Sequence, residues 1–201
     1  MDDAAVIAET RGWVEKFVIG LNLCPFAKAA NDAGRIRYRV SDASTAEVLR
    51  SHLAEEMLLL QETSSESIET IILIHPKVLG DFLEYNDFLD DADETLELLG
   101  LTGVLQVASF HPCYVFEGVS ADDVTNLTNR SPYPMLHLLR EASVTRAVAE
   151  YPDVGVDRRT VCTRSEGLFP QSLPRVDRSG GGRSREGTGH AEPPQRRSAA
   201  N

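Results

Sequence analysis

Apolar residues recur along this chain at two spacings, and the spacing changes mark the elements. Val6, Thr10, Trp13, Phe17 and Leu21 step by three and four, which predicts an amphipathic helix over residues 2–19 that stops near Gly20. A second helix is predicted over 44–61, with Val48, Leu49, Leu53, Met57 and Leu60 inward. A third covers 81–99, where Phe82, Tyr85, Leu89, Ala92, Leu96 and Leu99 form one stripe. Asp81, Glu84, Asp87, Asp90, Asp91, Glu94 and Glu97 take the other side, and Gly100 ends it. Those acids read as a solvated helix face, because metal-binding carboxylates must converge on one point.

Between the helices lie short runs of strand character. Residues 69–75 (ETIILIH) form a nearly continuous apolar segment of the kind buried on both faces, 104–110 (VLQVASF) form another, and 35–40 alternate weakly. Residues 113–117 either extend the strand before them or turn back as a hairpin. The stretch GLNLCPFAKAANDAGR reads as a loop, since Pro25 pushes Cys24 toward extended backbone. Residues 118–129 read as a polar linker. Ser131 as cap, with Pro132 or Pro134 in the first turn, predicts a last helix running to Tyr151-Pro152.

Strands alternating with helices predict an α/β domain over residues 1–157, with a small parallel or mixed sheet and packed helices. The alternative is a ferredoxin-like α+β sandwich, with an antiparallel edge strand at 113–117. Over 158–201 the composition shifts to Gly, Pro, Ser and Arg without periodicity, which predicts a disordered basic tail.

Charge and cysteine usage narrow the function classes. The net charge of −11 divides unevenly: 13 basic and 27 acidic side chains precede Thr163, then 7 basic and 4 acidic. An acidic body repels phosphate backbones, so no nucleic-acid partner is expected. No run reaches the length of a membrane span and the acidic N-terminus lacks a signal-peptide pattern, so no membrane association and a cytoplasmic location are expected. Three cysteines without a CxxC pair exclude a disulfide scaffold.

The candidate chemistry gathers at strand ends. His75-Pro76 and His111-Pro112 repeat one arrangement, an apolar strand closed by histidine and then a proline that stops the ladder. Both histidines should rise at the carboxyl rim, where ligands of open α/β sheets collect. Asn129, Arg130 and Ser131, ahead of the predicted last helix, would form an anion-binding arrangement of guanidinium, amide and helix N-terminal donors. Within that helix His137 and Glu141 would share one face as an acid/base couple, with Arg140 neutralising Glu141 or holding substrate. Cys24 becomes a nucleophile if its loop reaches His111. Alternatively, Cys24, His75 and His111 ligate zinc or iron.

Three blocks, GLNLCPFA, QVASFHPCYVF and NRSPYPMLHLLRE, resemble the signature blocks of the uncharacterised bacterial family DUF1415. That resemblance supports one composite site at Cys24, His111, Asn129, Arg130, His137 and Glu141, and lends no roles. Proteins similar to this one run on after Tyr-Pro-Asp into a further helix with an Ile-x-Glu-Arg-like segment, whereas here VGVDRRTV follows. Codons permitted for residues 156–160, read one base later, spell Ser-Ile-Asp-Glu-Arg, so a frameshifted tail is expected.

The functional expectation is an enzyme acting on a small anionic metabolite. Cys24, His111, His137 and Glu141 would do its chemistry, with Asn129, Arg130, Ser131 and Arg140 on the substrate. The rival classes are a metal-binding protein using Cys24 and the histidines, and an interaction module using the acidic helix.

Overall fold

A computed structural model describes residues 2–150; the tail predicted over 158–201 lies outside them. Helix α1 (Asp3–Trp13) begins where the Asp2 carboxylate accepts from the Ala4 amide and runs into a π-helical turn, Val14–Ile19. Then follow α2 (Pro25–Asp32), β1 (Ile36–Val40), α3 (Ala46–Glu62), β2 (Thr70–Ile74) and α4 (Phe82–Leu98). After these come β3 (Leu105–Phe110), a 3-10 turn (Val124–Thr128), β4 (Met135–Arg140) and α5 (Glu141–Glu150). Thr45 caps α3 by accepting from the Val48 amide, and Asp81 caps α4 by accepting from Leu83 and Glu84.

The four strands form one mixed sheet in the order β1-β2-β4-β3. β1 lies parallel to β2, while β4 is antiparallel to both of its neighbours, so β2 and β3 point the same way with β4 between them. The expected mixed α/β class is the observed one. Its antiparallel member is the interior strand β4, and residues 113–117 form no strand.

Side chains alternate between two cores. On one face Ile71, Leu73, Leu105, Leu136 and Leu138 pack with Leu49, Leu53, Met57 and Leu60 of α3 and with Tyr85, Phe88, Ala92 and Leu96 of α4. On the other face Ile72, Ile74 and Met135 pack with Val6 and Val14, joined by Trp13, Tyr38 and Phe110. Each fully buried Val, Leu, Ile, Phe or Met among these contributes about 1.5–3 kcal/mol relative to exposure. Helices therefore sandwich the sheet from both sides, unlike a ferredoxin-like fold.

Two elements depart from the predicted pattern. Residues 25–32 form α2, because Pro25 occupies the first helical turn, where its missing N–H costs nothing. The helix predicted from Ser131 is instead strand β4 followed by α5, which starts only at Glu141. β4 is clamped between two strands, Leu138 opposite both Ile71 and Val107, and ladder pairing on both edges overrides the helical reading.

Candidate functional site

The carboxyl rim of the sheet is organised around Tyr85 of α4. Its hydroxyl donates to Met135 O at 2.9 Å and accepts from the Phe110 N–H at 3.0 Å, closing the gap between β3 and β4. Burial pushes the phenol pKa upward, so it remains a neutral donor and acceptor. His75 stacks on its ring at 5.8 Å and His111 lies at 5.1 Å. Both histidines are fully buried and stand on the same rim.

These two histidines hold the loop between β2 and α4. His75 Nδ1 lies 3.0 Å from Val78 O and His111 Nε2 lies 3.2 Å from Leu79 O, so each of those nitrogens carries the proton. Leu79 has φ +56, a left-handed conformation unusual for a bulky residue, which this double clasp maintains. His111 Nδ1 accepts from the Cys113 amide at 3.0 Å, leaving neither of its ring nitrogens spare for proton transfer. His75 Nε2, by contrast, is buried without a partner. Burial lowers both pKa values, that of His75 to about 4.

Asn129, Arg130 and Ser131 meet this rim as loop fasteners. His111 N–H donates to Asn129 O, and Asn129 Nδ2 donates to Ser109 O. Arg130 Nε donates to Tyr114 O at 3.1 Å and its terminal nitrogen to Ala121 O at 2.8 Å, tying the 111–121 loop together. The Ser131 hydroxyl donates to Tyr133 O. Because β4 follows instead of a helix, these residues precede no helix N-terminus, and the premise of the anion arrangement is corrected. Arg140 lies at the far end of β4, where one terminal nitrogen donates to Leu60 O, Thr63 O and Ile68 O around the C-terminus of α3.

The His137–Glu141 pairing is corrected for the same reason. In a strand, four residues span about 13 Å rather than one helical turn, and Glu141 opens α5 with its amide on Val104 O. His137 instead pairs across β4 with Ile72 and Ala108, on the sheet face shared with Thr70 and Phe110.

There a hydrogen-bond chain fixes its tautomer. The Thr70 hydroxyl donates to Leu138 O at 2.5 Å and lies 2.7 Å from His137 Nε2. Having given its proton to the carbonyl, that oxygen accepts, so Nε2 carries the imidazole proton and Nδ1 holds a free lone pair. The residue is half-buried, its ring lies 6.2 Å from that of Phe110, and desolvation lowers its pKa to about 4. At neutral pH this is an uncharged imidazole with one nitrogen available.

On the sheet face that carries His137, α1 and β1 bring buried polar atoms. Trp13 stands edge-on to Phe110 at 5.5 Å, and its Nε1 is buried without a partner, as are Thr10 Oγ1 and Tyr38 Oη. Buried polar atoms are nearly always paired, so each such orphan calls for an explanation. Thr70 escapes a motif search, since a threonine opening an isoleucine strand has the signature of any β residue.

Cys24 precedes α2 on extended backbone, half-buried, and burial raises its thiol pKa against the pull of the Ala27 and Phe26 amides. The thiol therefore keeps its proton at neutral pH, and among the described residues it shares no hydrogen bond with a histidine. Among the described residues no group of three or more His, Cys, Asp or Glu side chains is placed to hold a metal ion, so Cys24, His75 and His111 are not brought together as one. Nor is any helix among them long and apolar enough to cross a membrane.

The family model described as "Protein of unknown function (DUF1415)" matches residues 5–166, and the chain belongs to that family. No curated protein and no solved structure matches it.

Proposed function

We propose that this member of the DUF1415 family is an enzyme that moves a proton on a small molecule held at the His137 face of the sheet. The observation that carries the reading is the Leu138–Thr70–His137 chain, which pins the imidazole with Nε2–H inward and leaves Nδ1 as acceptor. A fixed tautomer with one lone pair free is the arrangement a general base requires.

Its low proton affinity restricts the substrate. Desolvation lowers the pKa of this imidazole to about 4, so it stands uncharged at neutral pH, and its proton uptake is favoured where negative charge develops beside it. The reading therefore favours a small acid or carbonyl compound. The proton passes from a substrate C–H beside the carbonyl to Nδ1, the bonding pair stays on the substrate as an enolate-type anion, and the proton returns from Nδ1 to carbon in the product. Thr70 acts through His137 and is a positioning residue.

The test is hydrogen–deuterium exchange of substrate protons. Mixtures of small carbonyl and carboxylate metabolites are incubated with the protein in D2O and followed by proton NMR. Loss of one compound's signal with the wild type, and its retention with His137→Gln, is expected. Exchange that persists in His137→Gln, or no exchange with any compound, contradicts the reading.

A further inference from the structure

Side chains of β3 and β4 that share the His137 face stand in cross-strand pairs. Gln106 is opposite Leu139, Ala108 opposite His137 and Phe110 opposite Met135. Helix α1 and the turn after it cover this face unevenly. Val6, Val14 and Trp13 pack around Ile72, Ile74, Met135 and Phe110, whereas Ala108 and Leu139 belong to neither core. Gln106, Ala108 and His137 are each only half-buried, so solvent reaches the corner of the sheet where they stand.

Gln106 is the polar neighbour of His137 in that corner. The two sit diagonally across the β3–β4 ladder, where β-carbons are about 7 Å apart and long side chains still meet. Phe110 takes the other diagonal, with its ring 6.2 Å from the imidazole. Directly opposite His137 the strand offers only the methyl group of Ala108, so Gln106 and Phe110 flank a low point of the face. The Gln106 amide carries two donors and one acceptor, and it shares no hydrogen bond among the described residues. Arg140, the sole ionic side chain of the two strands, turns to the opposite face and donates to the carbonyls that end α3.

We infer that Gln106 is a catalytic and specificity-determining residue of the His137 site, donating its side-chain N–H to the carbonyl oxygen of a small uncharged ketone. This rests on the His137 reading above and deepens it. The spacing suits one small molecule. With a donor about 3 Å from the oxygen and a base about 3 Å from the adjacent carbon, the two protein nitrogens stand on the order of 6–8 Å apart, which a diagonal pair spans. When the C–H proton passes to Nδ1, its bonding pair forms the carbon–carbon double bond of an enolate and the charge settles on oxygen, where the Gln106 N–H meets it. Return of the proton to carbon restores the carbonyl. Neither strand brings a cation to this face, and uncompensated burial of a carboxylate is costly, so the site takes ketones in preference to keto acids.

Cyclopentanone, a neutral ketone, and pyruvate, a ketone bearing a carboxylate, are each incubated with the full protein in D2O, and exchange of the hydrogens beside the carbonyl is followed by proton NMR. The wild type should exchange cyclopentanone above the buffer rate and leave pyruvate at it. Gln106→Met, which keeps the chain length and removes the donors, should slow that exchange by about 10²-fold, and His137→Gln should abolish it. Because the Gln106 amide is bonded to nothing, the urea midpoint of Gln106→Met should equal that of the wild type. Wild-type exchange in Gln106→Met with loss in His137→Gln overturns the role of Gln106 and leaves the His137 reading standing. A midpoint that falls together with the exchange rate makes Gln106 a structural residue and overturns the inference in the same way. Exchange of pyruvate in preference to cyclopentanone overturns the ligand class. Exchange that survives His137→Gln, or none with either compound, overturns the inference together with the reading beneath it.

Discussion

His137 Nε2 lies 2.7 Å from Thr70 Oγ1, across the seam between β4 and β2, and the threonine proton is already given to Leu138 O. One hydroxyl thereby satisfies a carbonyl and sets the tautomer of a histidine. Thr70→Val keeps the shape of the side chain, leaves both partners without their bond, and is expected to cost about 1–3 kcal/mol. Thr70→Ser should recover most of that loss. Urea denaturation of the three proteins checks this, and a Thr70→Val protein as stable as wild type would contradict the chain.

Acid should weaken the fold, and the sign follows from the histidines. An unfolded histidine titrates near 6.5, whereas His75 and His137 in the folded chain titrate near 4 and His111 is also lowered. Between those values the unfolded chain binds protons that the folded chain refuses. Stability is therefore fully present above about pH 6.5 and falls as the pH drops toward 4, by up to about 3 kcal/mol for the fully buried His75. Urea midpoints measured from pH 7.5 down to 4.5 should fall steadily, with a shallower slope in His75→Phe. An identical slope in that variant would show that His75 is not the titrating group.

Tyr85→Phe removes only the oxygen that joins Met135 O to the Phe110 N–H. Since the lost bonds are buried at the sheet rim, the variant should be less stable by about 1–3 kcal/mol, with faster amide exchange at Phe110. Exchange at Phe110 as slow as in wild type would mean that the hydroxyl does not secure this edge.

Arg130 donates to two loop carbonyls, Tyr114 O and Ala121 O, through two different nitrogens. Arg130→Lys has one point donor and cannot reproduce that fork, so amide exchange over residues 111–121 should quicken in Arg130→Lys and Arg130→Ala alike. Unchanged protection in Arg130→Lys would leave the arginine free for another partner.

The elements with one clear period were legible from the chain. α4 has a continuous apolar stripe opposed by acids, and the uninterrupted isoleucines of β2 mark a strand covered on both faces. β4 was not legible, for the same reason that makes it central. Met135 and His137 point to one core while Leu136 and Leu138 point to the other, so MLHLL lacks strand alternation and satisfies helical spacing equally well. Pro132 and Pro134 then simulated a helix start. In Cys24-Pro25 the opposite confusion holds, since the proline that begins α2 reads locally as a break.

Of the candidate site, the chain showed that His75 and His111 share a rim, because direction and strand ends are local properties. What each nitrogen does depends on partners distant in sequence. The Thr70 hydroxyl that orients His137 and the Leu79 carbonyl that occupies His111 come from other elements. Trp13 reads as one more apolar residue of α1 until its indole N–H is found buried beside Phe110 without an acceptor.

The tautomer of His137 can be read without any ligand, from the imidazole nitrogens in a long-range 15N–1H correlation spectrum of the labelled protein, assigned with His137→Gln. The expected spectrum at neutral pH shows Nε2 protonated and Nδ1 as the unprotonated, pyridine-type nitrogen, with the ring taking up a proton only near pH 4. A protonated Nδ1 at neutral pH, or a titration near 6.5, would contradict the assignment of His137 as the proton-accepting group.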